Sequence, residues 1–256
     1  MADTTSLNAA RSAKLAGLTP RARGQQKIDA CLVWLYKWGW SSPEILRRVA
    51  GAAQPIVPRL VSAGLARKLQ LTSGGIAGRP NFGVVLTHDG LTQAMRSTDL
   101  VAKYSEKIRE TQITHDLFAQ TVTLALLQTK QISDYTPARL LEGQLGKIPD
   151  VTGFVTDTEG QTIRQFCIEI ELEQKTGNKF DLFATRLIKY LQRNANRFVL
   201  IATDRDVVLN WYKRRFREQS KLLLIEADGK GKIDENKTKD LVIDRLLASR
   251  ISVIKI

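Results

Sequence analysis

The chain has 256 residues, 43% of them hydrophobic, with a formal net charge of +13 and a pI near 9.9. That apolar content supports one large core or two small ones and excludes a wholly disordered chain. The basic balance points to a polyanionic partner, because cationic surfaces release the counterions condensed on phosphates. No run approaches the ~18 apolar residues of a membrane helix, and no charged start precedes an apolar signal core, so a cytoplasmic protein without membrane insertion is expected.

Charge is distributed unevenly. Residues 1–110 carry 16 Lys and Arg against 7 Asp and Glu, and residues 111–256 carry 23 against 19. A strongly basic front joined to a nearly balanced rear fits a DNA-holding module attached to a domain whose work needs carboxylates; the bland alternative is a solubilising surface. The two cysteines, Cys31 and Cys167, lie inside apolar runs and read as buried thiols of a reducing compartment. With two distant histidines they show no zinc-ligand spacing.

Residues 1–24 are rich in Ala, Ser, Thr and Gly, carry Arg11, Lys14, Arg21 and Arg23, and read as a basic flexible tail. From Gln25, Ile28, Leu32 and Leu35 recur at helical spacing up to the Trp38-Gly39-Trp40 corner. Ser41 followed by Glu44 predicts a capping box for a second helix that Gly51 ends. A third helical segment runs over about Pro55 to Ala63, where Pro55 and Pro58 predict a short or late start. Strands then read from Leu65 to Leu71 and from Phe82 to Leu86, joined by a glycine-rich loop. Three helices and a hairpin, with the phrase RLVSAGLARKLQL…RPNFGVVLTHDGLTQA, resemble a winged helix over residues 25–97. Arg59, Arg67, Lys68 and Arg79 are its candidate phosphate contacts.

Beyond a charged helical connector over 97–110, residues 98–256 change to a mixed α/β order. A helix is predicted over 112–129, strands near 148–156, 161–172, 197–203 and 222–227, and helices near 179–193 and 205–219. In the run Ile168 to Lys175, alternation sets Ile168, Ile170 and Leu172 on one face and Glu169, Glu171 and Glu173 on the other. A hairpin tip at Asp157-Thr158-Glu159-Gly160 that pairs Thr156 with Gln161 puts Asp150 opposite Cys167 and diagonal to Glu169. Diagonal neighbours lie about 7–8 Å apart, near enough for two carboxylates to share one ion. Oxygen ligands of this kind suit Mg²⁺ or Mn²⁺, which makes Asp150, Glu169 and Glu171 the candidate metal ligands. Lys175, four residues past Glu171, is a candidate catalytic cation. The run Lys213-Arg214-Arg215-Phe216-Arg217 reads as a second phosphate track or a solvated helix face, and Phe180, Phe183, Leu187, Tyr190 and Leu191 read as core.

Pro149-Asp150 with Glu169-x-Glu171-x-x-x-Lys175, preceded by Thr114-His115-Asp116-Leu117 and followed by Ile188-Lys189-Tyr190 and the strand Arg197 to Thr203, resembles the replication-relaxation family. That family is similar to MobC-type plasmid mobilisation relaxases. The resemblance implies an α/β (mixed α+β) chain, a winged helix followed by a PD-(D/E)XK-like domain with a central mixed sheet flanked by helices. It implies a relaxase or nicking endonuclease acting on double-stranded DNA at an origin of transfer, with accessory mobilisation proteins and a coupling protein as partners. It also makes His115 a candidate catalytic residue, beside a structural, half-buried reading of the same side chain. Glu171 departs from the general nuclease pattern, standing where a lysine is usual, so that cleavage depends on Lys175 replacing it. Two other readings stay open: a non-catalytic DNA-binding regulator with a degenerate nuclease fold, and a restriction or repair endonuclease. Homodimerisation and the role of residues 228–256 are open at this level.

Overall fold

In the computed structural model, residues 19–74, 78–98, 104, 108–141, 149–227 and 233–256 are described. Contacts divide the chain into two compact units, Met1–Leu117 and Phe118–Ile256. The division falls later than the 97/98 boundary expected from sequence. The predicted connector lies mostly outside the described residues, but Ile108 packs with Trp40, Leu71, Val85 and Ile113, and so belongs to the first unit.

Helix α1 (Pro20–Trp38) begins five residues before the predicted start. The Thr19 hydroxyl accepts the Ala22 N–H at 3.2 Å, and Pro20 occupies the first turn, where its missing N–H costs nothing. Residues 20–24 are therefore helical, and the rest of the expected tail lies outside the described residues. Gly39, at φ 80°, closes α1 with its N–H on the Leu35 carbonyl. Helix α2 (Pro43–Val49) is capped by Ser42, not Ser41: the Ser42 hydroxyl accepts the Ile45 N–H, while Ser41 bridges Val84 of the hairpin. Glu44 turns to Arg47 instead of reaching back to the helix start. Helix α3 (Val57–Ser62) is only six residues long and holds Pro58 in its first turn, as the prolines predicted.

Strands β1 (Ala66–Gln70) and β2 (Phe82–Leu86) pair antiparallel, and α4 (His88–Arg96) follows with Thr87 as its cap. Gly90 lies so close to the Leu65 carbonyl that a Cβ there would stand 1.8 Å from the oxygen. The Tyr104 hydroxyl accepts the Leu86 N–H at 2.7 Å and donates to the Gly39 carbonyl, tying β2 to the end of α1. Helix α5 (Ile113–Gln128) crosses the division between the units.

The second unit holds a five-stranded mixed sheet ordered β3-β4-β5-β6-β9: β3 (Asp134–Pro137), β4 (Val151–Thr156), β5 (Thr162–Ile170), β6 (Arg197–Thr203) and β9 (Ile251–Lys255). The first three pair antiparallel, whereas β5, β6 and β9 run parallel. Parallel neighbours need crossovers. Between β5 and β6 the crossover is α6 (Asn178–Gln192); between β6 and β9 it contains α7 (Asp206–Arg215), the hairpin β7 (Lys221–Ala227) and β8 (Ile233–Val242), and α8 (Arg245–Ser249). Phe180, Phe183, Leu187 and Leu191 of α6 close over Cys167, Val199 and Ile201 on one sheet face, together with Val208, Tyr212 and Phe216. The Arg250 guanidinium donates to the carbonyls of Leu191, Asn194 and Arg197, satisfying groups left unpaired at the end of α6.

Candidate functional site

The β4–β5 hairpin sets the acidic positions. Its tip is a three-residue loop, Thr158–Gly160, in which the Asp157 N–H donates to the Gln161 carbonyl and Gly160 takes φ 82°, the left-handed position such a loop requires. The Asp157 carboxylate accepts the N–H groups of Glu159 and Gln161 and stiffens the turn. This closure is one residue tighter than the pairing of Thr156 with Gln161 expected from sequence, and Thr156 faces Thr162. An irregularity between Val155 and Thr156 adds a second single-residue shift, so that Val155 faces Arg164 and Val151 faces Ile168. Cys167 therefore stands opposite Thr152, not Asp150, and Asp150 lies one residue before β4, next to the last pair, Val151 and Ile168. Because two single shifts preserve the alternation of faces, Thr152 still shares a face with Cys167, and Glu169 lies on that face of β5.

Glu169 is 3% exposed and Glu171 5%. The Cys167 thiol donates to the Glu169 carboxylate at 3.2 Å, which puts both side chains on the face that α6 covers. The Asp150 carboxylate accepts the Ile170 N–H at 2.7 Å, and the Glu171 N–H donates to the Ala202 carbonyl. Both oxygens of Glu171 accept from the Lys175 ammonium, which also lies 4.7 Å from the centre of the Phe183 ring. Tyr212 packs against Phe183 and buries its hydroxyl without a hydrogen bond of standard geometry. Burial first, then the negative charge of Glu171, pushes its ionisation well above the usual 10.0. Glu173 is exposed.

A hard divalent cation suits the carboxylate oxygens of Asp150 and Glu169, and Glu171 is engaged by Lys175. Among the described residues, no three of His, Cys, Asp and Glu form a group arranged to hold a metal ion. His115 belongs to the first unit, is partly exposed, and has Nδ1 3.7 Å from Asp116 Oδ1.

The basic residues divide by surroundings. Arg59, Arg67 and Lys68 are exposed on α3 and β1, with the Lys68 ammonium 4.6 Å from the Phe82 ring. Arg79 is half-buried and donates through Nε to the Thr114 hydroxyl. On α7, Lys213 and Arg214 face solvent, whereas the Arg215 guanidinium lies over the rings of Phe180 and Trp211 at 4.5 and 5.6 Å. Arg215 also faces Asp181, whose carboxyl is raised by burial while the guanidinium pulls the other way. Sequence reasoning passed over Asn210, which shares a surface with Lys213, Arg214 and Arg217; its helical spacing from Lys213 and Arg214 was the signal for it.

No family model, curated protein or solved structure matches this chain. No helix among the described residues is long and apolar enough to cross a membrane.

Proposed function

We propose that this chain is a metal-dependent DNA-nicking endonuclease, a relaxase that opens one strand at a plasmid origin of transfer. The observation that carries this reading is the hydrogen bond from the Ile170 N–H to Asp150, which ties Asp150 at the start of β4 to the end of β5 that carries Glu169, beside a lysine held by a third carboxylate. The central mixed sheet with helices on its face supports a PD-(D/E)XK-like domain, and three helices followed by a hairpin support a winged helix in the first unit. The choice of an origin of transfer, with accessory mobilisation proteins and a coupling protein as partners, follows from the likeness of the sequence to relaxases.

Asp150 and Glu169 would hold Mg²⁺ or Mn²⁺, while Glu171 stays paired with Lys175. Such an ion polarises the phosphodiester, lowers the pKa of a water nucleophile and offsets developing negative charge. The chain's own groups orient these acids: the Ile170 N–H fixes one oxygen of Asp150, and the Cys167 thiol fixes one of Glu169. Glu171 positions the Lys175 ammonium, a cation suited to a phosphate as charge develops on it.

The test is incubation of the purified chain with supercoiled plasmid bearing the origin. Open circles should form with Mg²⁺ or Mn²⁺, and Asp150→Ala or Glu169→Ala should slow their formation by about 100-fold or more. Intact supercoils from the wild-type chain in every divalent metal tried would refute the reading. The burial of Glu169 and Glu171 and the closure of Lys175 on Glu171 favour a second reading, a DNA-binding regulator that does not cut. It predicts salt-sensitive origin binding that needs no metal and survives Glu169→Ala.

A further inference from the structure

The outer face of α7 and the turn after it frame a shallow, solvent-open depression of about 590 Å³, lined by Val207, Asn210, Lys213, Arg214 and Arg217. Val207, Asn210, Lys213 and Arg214 recur every three or four residues on one face of α7, and Arg217 joins them from the turn that follows. The opposite face, through Val208 and Tyr212, is built into the core and anchors the helix. Among the described residues Lys213, Arg214 and Arg217 form no salt bridge, so three cationic heads converge without acidic compensation. Arg215 is also exposed, but it lays its guanidinium over Phe180 and Trp211 and does not line the depression.

We infer that this depression binds the phosphodiester backbone of nucleic acid, as a second site apart from the basic hairpin of the first unit. Two guanidinium forks and an ammonium match phosphate oxygens, and Asn210 adds a neutral donor beside them. A membrane surface would require an apolar face to enter the lipid; here Val207, 69% exposed, is the one apolar side chain lining the depression. Contacts to phosphate carry no sequence information, so a duplex of arbitrary sequence should bind there. The inference rests on the DNA-handling reading of the chain but not on cleavage.

The experiment measures binding of the full chain to a short duplex of arbitrary sequence by fluorescence anisotropy, in EDTA, across about 50–200 mM salt. Each phosphate contact contributes about 0.9 to the slope of log K against log salt. The triple variant Lys213→Gln, Arg214→Gln, Arg217→Gln should lower the slope by about 2 to 3 while its thermal unfolding matches wild type. The charge-preserving set Lys213→Arg, Arg214→Lys, Arg217→Lys should keep the slope. A matched control, Lys179→Gln, Arg186→Gln, Arg193→Gln, removes three exposed cations of α6 and should leave it nearly unchanged. An unaltered slope in the first variant overturns the site, and so does an equal fall in the control, which would indicate diffuse attraction. Loss of binding to phosphatidylglycerol vesicles with DNA binding intact would also overturn it and assign the face to lipid. Because no metal is present, a failure of nicking leaves these outcomes unaffected.

Discussion

Glu171 shows how one side chain can be both a candidate ligand and a structural liability. A carboxylate at 5% exposure has lost most of its hydration, and the Lys175 ammonium on both its oxygens offsets that cost. Removing the cation alone leaves the acid in place. Lys175→Met should therefore destabilise the second unit by about 2 kcal/mol, below the usual cost of breaking a buried pair because the lysine is partly exposed. Adding Glu171→Gln should recover part of that loss, which chemical denaturation of the single and double variants would measure. Additive losses would show that the two groups act independently. Cys167 and Tyr212 enclose the same face, and neither stands out in the sequence as anything but an apolar-run residue and a helix aromatic.

The loop of the β1–β2 hairpin is held just past β1 by a residue far along the chain. The Glu110 carboxylate accepts the Thr72 and Ser73 N–H groups and the Ser73 hydroxyl. The Ser73 hydroxyl first, then the Thr72 N–H, draws its ionisation below the usual 4.5. The sign follows directly: a carboxyl whose folded value is lowered contributes fully above 4.5, and its contribution is lost as pH falls through that folded value. Amide exchange at Thr72 and Ser73, corrected for intrinsic rates, should thus rise on acidification in wild type. In Glu110→Gln it should be faster at neutral pH and lack that acid step. Equal protection of the two amides in both proteins near neutrality would remove Glu110 as the anchor. At the same scale, α3 is short because Val57-Pro58 opens it, and a six-residue helix carrying Arg59 presents few positions for reading bases.

Each compact unit contains one buried cysteine, Cys31 at 0% and Cys167 at 2% exposure. Burial pushes the Cys31 thiol up to about 12, so it is a neutral thiol until its surroundings open. Thiol labelling of single-cysteine variants should therefore report the opening of each unit separately. Gly90→Ala forces a Cβ onto the Leu65 carbonyl and should cost the first unit about 3 kcal/mol. Labelling of Cys31 should then accelerate roughly 100-fold, with Cys167 unchanged. Equal acceleration at both would mean that the chain opens as one cooperative body.

Periodicity was sufficient for most elements, because it is a local property of the backbone. Alternation at Glu169 and Glu171, helical spacing in α1, α5 and α6, and the hairpin end at Gly160 are all legible in residue order. Alternation along β5 kept Cys167 and Glu169 on one face even though the expected register was two residues off, since faces depend only on parity. Register itself depended on how one turn closed and where one strand bulged, and Ser42 rather than Ser41 became a cap because Ser41 was drawn into a bridge with Val84. Only the tertiary structure decided that the Ile251–Lys255 segment joins β6 in the central sheet, and that Arg215 lies over aromatic rings while Arg217 lines an open depression. Those outcomes rest on contacts between residues distant in sequence or on competition for aromatic surface, and neither leaves a local pattern to read.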